Sequence, residues 1–181
     1  KVLHVRISDM PGGGRRRAAW IGRSSWDQLD KLMVDYRVRM CVIDELPEAE
    51  LAKKFQNRHR GKVWRCRFRS DDPGDAVFLT RGKDKGVMSV DRTQSFDAAT
   101  GRIKAKRNLL PSNADTVDNG DYWKQMLKPK RYHCEDRSGK LVARWTKGND
   151  HHRLADVYDD LAFSILRVGT AIADLGNLWP Y

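Results

Sequence analysis

The sequence predicts a mixed α/β fold, a sheet flanked by helices with an added β-hairpin before the C-terminal helix. Three observations predict it. Val38, Met40, Cys41, Val42 and Ile43 form a short apolar run without helical period, as in a central strand buried on both faces. That run ends in Asp44, Glu45, Leu46 and Pro47, and the spacing of Ala49, Leu51, Ala52 and Phe55 then predicts a helix with Pro47 in its first turn. Finally, Leu154, Val157, Tyr158, Leu161, Ile165 and Val168 recur on one stripe, so a helix from about Asp150 to Val168 packs its apolar side on the sheet.

The remaining elements follow in chain order. Residues 2–8, VLHVRIS, alternate apolar and polar, and residues 17–23 form the partner strand across the PGGG turn at 11–14. Arg15, Arg16 and Arg17 enter that second strand; they suit gripping phosphate, although a charge run beside a turn also reads as solvated. Ser24 or Ser25 caps a helix whose core positions are Trp26, Leu29, Leu32, Met33 and Tyr36. Val63, Trp64, Cys66 and Phe68 mark another strand. Residues 70–86 read as a surface loop, with acids that invite a metal-site reading but suit solvation better, and with a short strand at AVFL. VMSV at 87–90 leads into a helix carrying Phe96, Ala99 and Ile103, and YWKQMLK at 122–128 makes a short helix. Residues 130–146 read as a second hairpin about a turn at Asp136–Gly139; its Lys130, Arg131, Lys140 and Arg144 make it a candidate DNA-contacting arm.

At 181 residues the chain is expected to be one domain with a sizeable core. No leader and no apolar run long enough to span a bilayer is visible. Cys41, Cys66 and Cys134 are widely spaced, without a zinc-type pattern, and fit a reducing compartment. The balance of 35 Lys plus Arg against 24 Asp plus Glu leaves a net charge of +11 and a pI near 9.8, which points to a polyanionic partner, nucleic acid ahead of a membrane surface.

Two acids stand out by position. Asp44 closes a strand, where functional groups gather in α/β sheets, and the competing reading is a cap on the next helix. Asp150 lies four residues before Leu154 and so on the inward stripe, where a carboxylate must cap, pair or bind metal. Asp156, Asp159 and Asp160 fall opposite the stripe and are expected to be solvated. His151 lies near the edge of the stripe, and a histidine pair at a helix start ordinarily consists of plain polar residues.

VIDELPE at 42–48, VDRTQSFD at 90–97 with a basic helix and then LLP at 109–111, YWKQML at 122–127, and NDHHRLADVYDDLA at 149–162 together resemble the C-terminal nuclease domain of tailed-phage terminase large subunits, within the RNase H-like superfamily. The likeness covers nearly the whole chain and rests on the order of motifs that are each only moderately specific. It implies a metal-dependent, largely sequence-nonspecific endonuclease that cuts concatemeric viral DNA during genome packaging in the cytoplasm of an infected bacterial host. Implied partners are double-stranded DNA, an N-terminal packaging ATPase domain of the same protein, the portal and the small terminase subunit. No GxxxxGK[ST] phosphate loop occurs in these residues.

The resemblance further implies two-metal hydrolysis with Mg²⁺ or Mn²⁺, Asp44 and Asp150 as catalytic carboxylates and metal ligands, and His151 in an adjacent, assisting position. One departure matters. Family members carry a stretch resembling Gly-Val-Asp-Val-Gly on the strand directly before a segment like VLHVRIS, and the sequence opens at Lys1 just past that point, so the first catalytic acid is expected upstream; Asp9 falls where the family has its next turn. A non-catalytic DNA-binding or motor-docking module, and another RNase H-like nuclease such as a junction resolvase, are the competing readings.

Overall fold

The computed structural model describes residues 2–69, 77–79, 86–136 and 138–176. In chain order the elements are β1 (Leu3–Gly12), β2 (Arg15–Ser24), α1 (Trp26–Asp35), β3 (Cys41–Asp44), α2 (Ala49–Arg58), β4 (Val63–Arg69), β5 (Val77–Leu79), β6 (Val87–Asp91), α3 (Arg92–Lys104), β7 (Asn108–Leu109), a kinked 3-10 segment (Ala114–Gly120), α4 (Asp121–Leu127), β8 (Arg131–Glu135), β9 (Leu141–Trp145) and α5 (His151–Gly176). The fold is mixed α/β, with sheets flanked by helices.

Local chemistry explains the boundaries. Gly13 and Gly14 adopt positive φ of 61° and 67° in the β1–β2 turn, which an L side chain would resist. Ser25 caps α1 in a full capping box, its hydroxyl accepting from the Gln28 amide while the Gln28 side chain accepts from the Ser25 amide. Asp91 caps α3 by accepting from the Gln94 amide.

The described strands form three sheets, ordered β1-β2-β7, β3-β4-β6-β5 and β8-β9. β3, β4 and β6 are parallel and β5 runs antiparallel to β6. Val42, Cys66, Met88 and Val90 of this second sheet bury one face against Phe96 and Ala99 of α3 and Val157, Leu161 and Ala162 of α5. Its other face meets Leu29 and Met33 of α1 and Phe55 of α2 around Val63.

β3 is therefore an edge strand, not the central one the sequence suggested, and only Val42 within it is fully buried. β1 is likewise an edge of its own sheet. Both edges line one cleft of about 1080 Å³, closed by Trp26 and Met33 of α1 on one side and by Leu154 and Tyr158 of α5 on the other.

Other expectations are corrected. Tyr36 is substantially exposed rather than core. Pro47 precedes α2 instead of occupying its first turn, and Asp44 does not cap that helix; its carboxylate accepts from the Leu46 amide at 3.1 Å. Asn108 and Leu109 form a strand parallel to β2, which no pattern announced. Asp156 and Asp159 are buried, because α5 is covered on more than its apolar stripe: β1, α3 and α4 pack around it as well as β3. The acids of the 70–75 stretch, Arg137 and the tail beyond 176 lie outside the described residues. Among the described residues no helix is long and apolar enough to cross a membrane.

Candidate functional site

Asp44 sits at the carboxyl end of β3, half-buried at the mouth of the cleft. Burial raises its carboxyl above the ordinary range against the opposing pull of the Leu46 amide, Tyr158 and Arg92. Tyr158, two turns into α5, faces it: burial, and then the Asp44 charge, push the phenol well above its usual value, and the hydroxyl lacks a well-formed hydrogen bond.

Asp150 lies at the start of α5, 2% exposed, and its carbonyl accepts the first helical bond from the Leu154 amide. The cost of burying it is offset by Arg92, whose Nη2 donates to the Asp150 carboxylate at 3.1 Å. Arg92 is itself held over the Phe96 ring at 4.2 Å, and its Nε is buried without a partner. The guanidinium therefore links the two acids electrostatically: it pairs with Asp150 and lowers Asp44.

His151 is exposed and stacks on His4 with ring centroids 4.8 Å apart. The inward histidine is instead His152, 1% exposed, whose Nε2 lies 3.2 Å from the Asp118 carboxylate. His4 Nε2 approaches the same Asp118 oxygen at 3.6 Å, while Arg23 Nε lies 2.5 Å from the other. Burial first, then His152, His151 and Arg23, push the His4 imidazole down to about 4. Among the described residues, His4, Asp118 and His152 are the group of three or more side chains placed to hold a metal ion; Asp44 and Asp150 are not in it. Sequence reasoning missed this group, whose members are more than 30 residues apart; the signal was the histidine pair, of which the resemblance had singled out His151 rather than His152.

The basic residues divide. Arg16 is 3% exposed and committed to Asp159 at 3.1 Å and Asp160 at 2.8 Å, which removes it from any phosphate-gripping surface. Arg6, Arg102 and Arg153 complete the same network, with Arg6 Nη1 3.1 Å from Asp156. Asp156 and Asp159 are thus buried and Asp160 half-buried, all paired with arginines where solvation was expected. Arg15 is exposed beside the turn. In the β8–β9 hairpin, Lys130 and Lys140 are exposed, Arg144 is half-buried, and Arg131 is paired with Asp97 at 3.0 Å, which also accepts from Trp145 and so fastens the hairpin to α3.

No family model, curated protein or solved structure matches the chain.

Proposed function

We propose that the chain is a metal-dependent, largely sequence-nonspecific DNA endonuclease of RNase H-like architecture, the nuclease part of a phage terminase large subunit. The observation that carries this reading is the shared guanidinium. Asp44 and Asp150, from elements more than 100 residues apart in sequence, both feel Arg92, which pairs with one and lowers the other. Two acids under the influence of one cation are suited to a divalent ion beside it.

The donor set fits Mg²⁺ or Mn²⁺ in kind, since both ligands are hard carboxylate oxygens. Two carboxylates suffice for one ion. The third, bridging carboxylate would come from an extended segment seated between β1 and β3. The cleft of about 1080 Å³ bordered by β1 and β3 has room to receive such a segment.

A bound ion would activate water and stabilise the leaving oxygen of the phosphodiester. The chain's own residues position these partners: the Leu46 amide orients Asp44, Arg92 is available to a scissile phosphate once an ion displaces it from Asp150, and the basic hairpin holds the duplex. The host-cell setting and the ATPase, portal and small-subunit partners follow from the same reading. Supercoiled plasmid incubated in Mn²⁺ and in EDTA tests it: nicking only with metal is expected, and metal-independent nicking or none from a chain carrying the third acid overturns it.

The pairing of Asp150 with Arg92 also favours a second reading, in which the acids are structural and the domain only grips DNA. Tight, salt-sensitive DNA binding without any cleavage is its signature.

A further inference from the structure

We propose that His4, Asp118 and His152 form a binding site for a transition-metal dication of the Zn²⁺ class, separate from the Asp44 and Asp150 pair. The inference stands independently of the nuclease reading. The three ligands come from β1, the 3-10 segment and the first turn of α5, and their donor atoms all lie within 4.8 Å of one another. Ligand atoms held about 2.0–2.1 Å from a tetrahedral ion stand about 3.3 Å apart. His152 Nε2 and His4 Nε2 lie 3.2 and 3.6 Å from one Asp118 oxygen, close to that edge length before any adjustment.

The surroundings hold the ligands in place. Asp118 and Asn119 adopt positive φ of 54° and 55°, a kink that turns the Asp118 carboxylate toward β1 and α5. Arg23 takes one Asp118 oxygen and leaves the other facing the histidines, the carboxylate equivalent of the outer partner that orients metal ligands. The His152 amide donates to Gln125 at 3.0 Å, and the His4 ring is stacked on His151. Most telling, His4 Nε2 is buried with no hydrogen-bond partner although it points at the carboxylate. An imidazole nitrogen left without a partner inside a protein is costly, and an ion between the three groups would meet it.

Two imidazoles and one carboxylate select Zn²⁺, Co²⁺ or Ni²⁺ over Mg²⁺, which requires oxygen donors in octahedral array. Three protein ligands leave a fourth position open. Because the ligands lie on elements distant in sequence, the ion would tie the β1 end of the cleft to α5 and to the 3-10 segment.

The test is titration of the full 181-residue chain, stripped with EDTA, with Zn²⁺ by calorimetry, with Co²⁺ by visible absorption and with Zn²⁺ during thermal melting. The expected result is one Zn²⁺ per chain, the intense d–d bands of tetrahedral Co²⁺, and a melting temperature raised by about 5 °C or more at saturation. His4→Gln and Asp118→Asn should each weaken Zn²⁺ binding by about 100-fold or more while retaining the wild-type circular dichroism; they are used because the deeply buried His152 is the variant most prone to misfold. Asp44→Asn should leave Zn²⁺ affinity unchanged, which separates this site from the nuclease carboxylates. Absence of saturable one-to-one binding, or undiminished binding in either His4→Gln or Asp118→Asn, overturns the proposal.

Discussion

The Arg92 guanidinium, at the first residue of α3, donates to the buried Asp150 carboxylate at 3.1 Å, joining two segments 58 residues apart. The same side chain packs over Phe96 in the main core, so the position of the acid is fixed by the core itself. Removing Arg92 would strand Asp150 as an uncompensated buried charge. Arg92→Ala should therefore cost about 3–5 kcal/mol in urea unfolding, and the double variant with Asp150→Asn should recover much of that loss. Equal destabilisation with and without Asp150→Asn would contradict the pairing.

Asp44 behaves in the opposite sense. Its carboxyl is raised by burial above the ordinary 3.8, so the folded state holds its proton more tightly than the unfolded chain. The stability that this group contributes is complete below 3.8 and is lost as pH rises through the higher folded value. Asp44→Asn should accordingly be more stable than wild type at neutral pH, with the difference vanishing on acidification below 3.8, a pattern expected where function outweighs stability. Urea midpoints across that range check it, and a destabilised Asp44→Asn at neutral pH would show that the carboxylate is structural.

DNA affinity should fall steeply with salt and be indifferent to sequence. Because Arg131 is held by Asp97 while Lys130 and Lys140 are exposed, Lys130→Ala together with Lys140→Ala should lower the log–log salt slope by about 2. An unchanged slope places the DNA contact elsewhere.

Arg15 and Arg16 are neighbours in sequence with opposite expected phenotypes. Arg16→Ala breaks a buried ion pair network and should cost about 3–5 kcal/mol without altering the salt slope. Arg15→Ala, on an exposed side chain, should change stability by less than about 0.5 kcal/mol and reduce the slope by about 1.

These contrasts mark how far the sequence could be read. Both hairpins, a serine cap on α1 at Ser24 or Ser25, and the inward face of Asp150 were legible, because period, turn residues and caps are local and short-range chemistry decides them. The solvated assignment of Asp156 and Asp159 failed because a helix covered by several elements has no solvent face to reserve for acids, and the arginines that neutralise them, Arg6 and Arg16, come from a hairpin about 140 residues away. The edge position of β3 was equally hidden: an apolar run reads as buried whether its neighbour is a strand or the side of a cleft. His4, Asp118 and His152 carry no spacing that a linear reading could detect, since only the tertiary fold brings them within reach.

The most direct measurement of the central claim is Mn²⁺-dependent nicking of supercoiled plasmid by the chain extended N-terminally through an acid-bearing strand, compared with the same chain carrying Asp44→Asn and with the 181 residues alone. The account predicts cleavage by the extended chain, a loss of about 100-fold or more in Asp44→Asn with DNA binding retained, and near inactivity of the 181 residues alone, as two-metal hydrolysis requires if Asp44 and Asp150 are the carboxylates these residues bring to the site. Undiminished cleavage by Asp44→Asn would contradict it.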